Sequence, residues 1–207
     1  PIPKPNRLPE FLRQAAVLIP AIKKNGAFAD DLIKKLAGVS LFERAIAKAK
    51  KLVRQEDIYV ITDSDEISLI CKRHSIQFFL KPDFKLEFNN LMQELSDSLK
   101  QIATQVKTIL VLWPYTPLLS LESITTAYQA YQNGNFNSLV TLRQLDHKLY
   151  KFQDQDLKGF RFSSHTDRVC IEVRALNIFN SELVLQPKQE LRVCPFHLDP
   201  ELLEIQN

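Results

Sequence analysis

Short apolar runs constrain the fold of this chain more than any other feature: Ala15–Ile19, Ile58–Thr62, Ile76–Leu80 and Thr108–Leu112. Each is too short to span a membrane and too rich in aliphatic or β-branched residues for a loop. The last of them, TILVL, has no polar break and reads as a central parallel strand covered on both faces. Segments of helical periodicity lie between the runs. Leu41, Phe42, Ala45, Ile46, Ala49 and Val53 recur on one side of a helix, while Glu43, Arg44, Lys48, Lys50 and Lys51 form its solvated face. Ser40, with Glu43 three residues later, predicts a capping box at its start. Ile67, Ile70 and Cys71 mark a second helix, and Leu91, Leu95, Leu99 and Ile102 a third over Asn89 to Thr104. A fourth runs from Leu121 through Tyr131 and breaks at Asn133-Gly134-Asn135. Strands alternating with amphipathic helices predict an α/β fold with a largely parallel sheet.

The 207 residues suffice for one sizeable domain with at most a small appendage. Residues 1–14 read as a Pro-rich arm and 15–207 as a single domain. The net charge of +3 is small and its lysines and arginines are scattered among acids, which argues against a nucleic-acid partner. No apolar run approaches the roughly 18 residues of a membrane span, and the start PIPKPNRLPEF is polar, so neither membrane partner nor signal peptide is expected. Cys71, Cys170 and Cys194 are odd in number, lack C-x-x-C spacing and sit among apolar residues. They read as buried free thiols in a reducing cytoplasm. His74, His147 and His165 have no spacing that suggests zinc or a triad.

Pro20 removes a backbone donor, so the first strand is expected to stop there. Lys23, Lys24, Asn25 and Gly26 follow as a polar loop containing the chain's first glycine. A βα unit places such a loop at the carboxyl end of its strand, where open α/β sheets bind ligands. Asp30 and Asp31 are expected to cap a short helical turn through Lys35.

The run AVLIPA (Ala16–Ala21), its basic Gly-containing loop, and Lys35-Leu36-Ala37-Gly38-Val39-Ser40-Leu41 resemble the opening of an acylneuraminate cytidylyltransferase, the family of CMP-sialic acid and CMP-Kdo synthetases. Its pattern resembles A-x-I-P-A-R-x-G-S-K-G-x-x-x-K-N-L-x-x-L-x-G-x-P-L, and the spacing from Ala21 to Gly38 fits without a gap. Asp57–Asp63 resembles the family's I-V-S-T-D segment, and Ser75–Pro82 its G-x-x-v-x-x-R-P strand, with Lys81 at the Arg. Trp113-Pro114-Tyr115-Thr116-Pro117-Leu118-Leu119-Ser120 resembles Q-P-T-S-P-L-R-S. Ser138–Leu142 is similar to a further strand. Several charged or polar letters differ. Ile22 stands at the family's Arg, Asp31 at its Lys, Trp113 at its Gln and Leu119 at its second Arg.

Past Arg143 the resemblance is looser. Lys148–Gln155 reads as a short hairpin or loop, Val169–Leu176 as a strand, and Asn180-Ser181-Glu182-Leu183 as the mark of a short helix. Phe196–Leu203 would stand at the family's I-D-I-D stretch, keeping Asp199 as the second carboxylate with His197 at the first. The resemblance places a dimerisation region near 143–180, and the aromatic residues Phe152, Phe160 and Phe162 of a polar stretch agree with an interface. A homodimer is expected.

The resemblance implies a three-layer α/β/α sandwich of the nucleotide-diphospho-sugar transferase type. It also implies transfer of CMP from CTP to an acidic sugar such as sialic acid or Kdo, with Mg²⁺ held through Asp199. Lys23, Lys24 and Asp199 take the catalytic positions. Ala21, Asn25, Gly26, Asp63, Trp113 and Thr116 take the nucleotide, and Lys81 the sugar. The residues themselves leave alternatives. The lysine loop also reads as an ordinary solvated βα loop, Asp63 as the cap of the following helix, and Trp113 as either a base-stacking platform or a plug. The substitutions at Ile22, Asp31, Leu119 and His197 imply weak or absent catalysis, with an inactive nucleotide-binding or regulatory relative as the alternative. Ile22→Arg together with Asp31→Lys is expected to improve CTP binding if the pocket is otherwise intact.

Overall fold

β1 (Ala15–Ala21) is buried at every residue because it has a core on each face. Ala15, Val17, Ile19 and Ala21 enter one cluster, and Ala16, Leu18 and the following Ile22 enter the other. The period-two alternation of a strand divides them, which is why a continuous apolar run was needed. The computed structural model describes residues 12, 14–23, 30–84, 95–144, 150–153, 156–159, 169–186 and 188–198. Lys24, Asn25, Gly26, Asp199, Phe160, Phe162, the proline arm and the first part of the third helix lie outside the described residues.

β1 runs on through Pro20, beyond the expected stop. Its pairing with the strand on one side covers only Ala15 to Leu18, so at Pro20 the missing N–H interrupts no ladder there. As expected, one helical turn starts at Asp30, with the Ile33 and Lys34 N–H groups donating to its carbonyl, and it is not continued. Then β2 (Lys35–Leu36) and β3 (Val39–Ser40) form a hairpin around Ala37 and Gly38, both at positive φ (51° and 81°). Glycine takes that conformation without strain.

α1 (Leu41–Ala49) carries the predicted capping box in full: Ser40 Oγ accepts from the Glu43 N–H, and the Glu43 carboxylate accepts from the Ser40 N–H. It leads to β4 (Ile58–Thr62), α2 (Asp65–Arg73), β5 (Gln77–Leu80), α3 (Ser96–Ala103) and β6 (Thr108–Leu112). α4 (Leu121–Asn133), β7 (Ser138–Gln144), the hairpin of β8 (Tyr150–Gln153) and β9 (Asp156–Gly159), β10 (Cys170–Asn180), α5 (Ser181–Leu185) and β11 (Val193–His197) complete it.

The main sheet has the order β11-β7-β10-β6-β1-β4-β5, with β10 antiparallel to both neighbours and the other pairings parallel. The expected α/β fold with a mostly parallel sheet is the fold observed. Residues of α1, α2 and α4 close one face, including Phe42, Ile46, Ile67, Ile124 and Tyr128. Leu99 and Ile102 of α3 and Leu183 and Val184 of α5 close the other. From β1 the chain first moves outward through β4 to β5, then crosses back through α3 to β6 on the opposite side of β1. The order therefore reverses between β1 and β6, and the crevice beyond their carboxyl ends is where such sheets take ligands.

No described helix is long and apolar enough to cross a membrane. Cys71 and Cys194 are buried free thiols as expected, whereas Cys170 is only half-buried. Burial pushes the Cys71 thiol up to about 12, which keeps it protonated and inert.

Candidate functional site

The loops beyond β1 and β6 are tied together across the reversal point. The Tyr115 hydroxyl donates to the Ile22 carbonyl at 3.4 Å. Burial raises the Tyr115 phenol well above its ordinary range, with Asp31 and Asp63 adding to the shift and Arg174 opposing it. Those charges, on three different segments, thus act on one residue at the mouth of the crevice.

Ile22 is 2% exposed and belongs to the core cluster that also holds Leu18, Phe84, Leu95 and Trp113. Lys23, the next residue, points its N–H to Asp63 Oδ1 at 2.7 Å. Its ammonium lies 2.6 Å from Asp30 Oδ1 and 3.0 Å from Glu66 Oε2. The bonds to Asp30 and Glu66 raise the lysine above its usual range, and Lys23 in turn holds Asp30 below its own. Charge is therefore present where the sequence placed it, but neutralised within the chain.

Asp63 does not cap α2. The cap is Ser64, whose side chain accepts from the Ile67 N–H, and the Ser64 N–H is itself held by Thr62 Oγ1. Asp63 lies one residue too early for that geometry. It instead fixes the first loop to the end of β4.

After β6, Trp113 is 3% exposed and its indole N–H donates to Asn177 Oδ1 at 2.9 Å. Asn177 donates in turn to Glu172. Thr116 is buried and its hydroxyl donates to the Trp113 carbonyl, so it shapes the turn. Of the two readings of Trp113, the plug describes its place. Lys48 also departs from expectation. It leaves the solvated face of α1 and sets its ammonium 3.3 Å from the Thr116 carbonyl and 3.5 Å from that of Pro117. Burial lowers it to about 8.

Asp31 has a buried oxygen, Oδ1, with no hydrogen-bond partner, and burial raises its carboxyl above the ordinary range. Lys81, at the end of β5, lies 3.9 Å from Asp97 and 5.9 Å from the centre of the Phe84 ring. His197 ends the edge strand β11 and is exposed. Among the described residues no group of three or more His, Cys, Asp and Glu converges to hold a metal ion. The structure thus brings together Ala21, Lys23, Asp63, Trp113 and Thr116, and sets Lys81 two strands from β1.

Arg174 was not singled out in the sequence. Its guanidinium carbon sits 5.3 Å from the Trp113 ring centre. Nothing local marks it, because its position depends on how β10 pairs with β6 and β7.

A family model described as Cytidylyltransferase matches residues 17–159. The chain belongs to that cytidylyltransferase family. The match runs from β1 to the end of β9 and so contains both crevice loops; β10 lies beyond it. Comparison with curated proteins finds no match. Among solved structures, the chain is similar to CMP:2-keto-3-deoxy-manno-octonic acid synthetase complexed with CTP. That likeness has a TM-score of 0.65 at 10% identity and covers 89% of this chain and 90% of that one. It is also similar to 4-diphosphocytidyl-2C-methyl-D-erythritol synthase from Anaerococcus prevotii DSM 20548, at TM-score 0.63 and 13% identity, covering 94% and 93%. A cytidylyltransferase from Leptospira borgpetersenii serovar Hardjo-bovis follows at TM-score 0.55 and 16% identity, covering 86% and 66%. At these identities the likenesses show the shared fold.

Proposed function

We propose that this cytidylyltransferase-family chain binds CTP in the crevice between β1 and β6 and transfers CMP slowly to an acidic sugar of the sialic acid or Kdo class. The observation that supports this most is Lys23 at the carboxyl end of β1, its backbone fixed by Asp63. Attack of a sugar hydroxyl on the α-phosphorus, with loss of pyrophosphate, needs mainly positioning and positive charge. Lys23 supplies the charge once a triphosphate displaces Asp30 and Glu66. Lys24, Asn25 and Gly26 follow it in sequence as further candidates for the phosphates, and Lys81 is the candidate for the sugar carboxylate. Mg²⁺ is commonly held by one or two carboxylates together with substrate phosphates. In this proposal it arrives with CTP, and Asp199 is its candidate protein ligand. The slow rate follows from the buried Ile22 at the family's Arg position and from the half-buried carboxyl of Asp31.

A second reading, a nucleotide-binding relative without turnover, is favoured by the pairing of Lys23 with Asp30 and Glu66. One pair of measurements separates the two. With Mg²⁺ present, CTP is expected to raise the melting temperature more than ATP, GTP or UTP, because a ligand of the folded state stabilises it by mass action. A flat response to all four would refute both readings. Pyrophosphate release from CTP with sialic acid or Kdo is expected to be measurable but slow. Its complete absence alongside CTP binding would favour the second reading, and rapid release would overturn the slow one.

We propose further that the protein works as a cytoplasmic homodimer assembled through residues after Arg143. Light scattering at micromolar concentration is expected to give twice the chain mass of 23.9 kDa. A mass of one chain would count against the dimer.

A further inference from the structure

Ile22 stands where the acylneuraminate resemblance implies an arginine, yet the crevice contains one from elsewhere. We infer that Arg174 is the residue that receives an oxyanion of the substrate, a phosphate or a carboxylate, at the carboxyl end of β6. The location rests on the nucleotidyl-transfer reading of the crevice; the chemistry rests on how the residue is held.

Three features of β10 fix it. First, the strand bulges: Glu172 pairs with Leu142 and Asn177 with Val140, so the residues between are in excess over β7. The buried Thr141 pins that bulge. Its hydroxyl lies 2.8 Å from the Val173 carbonyl and 3.1 Å from the Leu176 carbonyl, and it accepts from the Leu176 N–H at 3.3 Å. Bulges often re-aim a side chain beside a site. Second, the Ala175 carbonyl accepts from the Trp113 N–H, which sets Arg174 alongside the start of the loop after β6. Third, the indole is held by Asn177, itself held by Glu172. Trp113 is therefore a fixed surface, and the guanidinium stands over it.

A guanidinium over an indole is attracted by the ring, and its N–H donors form a planar fork that phosphates and carboxylates accept bidentately. A ring contact that restrains the side chain also removes part of the entropy lost when a long side chain is ordered by a ligand. Arg174 is near enough to oppose Asp31 and Asp63 at Tyr115. It supplies cationic charge at the crevice from a strand outside the matched family region, where Ile22 and Leu119 do not.

The test compares the wild-type chain with Arg174→Gln and Arg174→Lys, using CTP, CMP, pyrophosphate, Kdo and uncharged cytidine as probes. Binding is followed by calorimetry and by emission of Trp113, the chain's single tryptophan. Arg174→Gln is expected to weaken at least one anionic probe tenfold or more while changing cytidine less than twofold. Arg174→Lys should recover only part of that loss. Loss confined to CTP, CMP and pyrophosphate assigns the phosphates, and loss confined to Kdo assigns the carboxylate. Wild-type CTP binding that Arg174→Gln leaves intact, with Kdo and pyrophosphate equally unaffected, would overturn the inference and leave the proposed function standing. The converse is anion binding that needs Arg174 in a chain that binds no nucleotide, which would sink the function and keep the inference. Failure of every anion to bind the wild-type chain overturns both.

Discussion

Ile22→Arg, which would introduce the arginine that the acylneuraminate resemblance implies, is expected to destabilise the fold by at least about 3 kcal/mol and to gain no nucleotide affinity. Losing the buried isoleucine accounts for roughly 1.5–3 kcal/mol. A guanidinium brought into an apolar cluster adds a desolvation cost that only a full set of partners offsets. Asp63 follows the neighbouring strand β4, but it already accepts the Lys23 N–H. The surroundings are Leu18, Phe84, Leu95 and Trp113. Arginine can extend its charge toward water along an apolar surface, so urea denaturation of the single variant decides. A midpoint equal to wild type, with tighter CTP binding, would show that the side chain reaches the crevice and that the slot is still an arginine slot. Adding Asp31→Lys is expected to leave the loss in place. The burial of Ile22 thus reverses the expectation that the pair of substitutions repairs the pocket.

The fold is legible in the amino-acid sequence where one local pattern has one consequence. TILVL and the run at Ala15 needed apolar layers on both faces, and the structure supplies them. Ser40 and Glu43 could satisfy orphan helix donors only as a capping box, and they do. It is not legible where the outcome depends on a neighbour distant in sequence. Pro20 stays in its strand because β6 pairs only as far as Leu18. Lys48 looked like one more cation on a polar helix face, yet the loop after β6 brings two carbonyls to it. Asp63 lies beside a helix start, but the first loop claims it. Arg174 is the furthest case. Its place depends on a bulge whose pin, Thr141, lies on another strand more than thirty residues earlier. Local alternation could place β10 in the fold but not the extra residues in it.

That pin is also where a single methyl-for-hydroxyl exchange should cost most. Thr141→Val keeps the shape of the side chain and removes the group that serves the bulge. Thr141 is fully buried, and so is Leu176 on the opposite strand. The Leu176 N–H would lose the oxygen it donates to, and the carbonyls of Val173 and Leu176 would lose the hydroxyl between them. A buried polar group left unsatisfied costs about 1–3 kcal/mol, so a total near 3 kcal/mol is expected from urea denaturation. Thr141→Ser retains the hydroxyl and gives up one methyl, and should lose only about 1 kcal/mol. The two variants also separate stability from positioning. If the bulge relaxes, Ala175 and Asn177 shift against Trp113 and the guanidinium leaves the indole. The Trp113 emission of folded Thr141→Val should then differ from wild type, while that of Thr141→Ser should match it. Equal stability and unchanged emission in Thr141→Val would mean that the bulge holds without its hydroxyl, and that Arg174 is aimed by β6 alone.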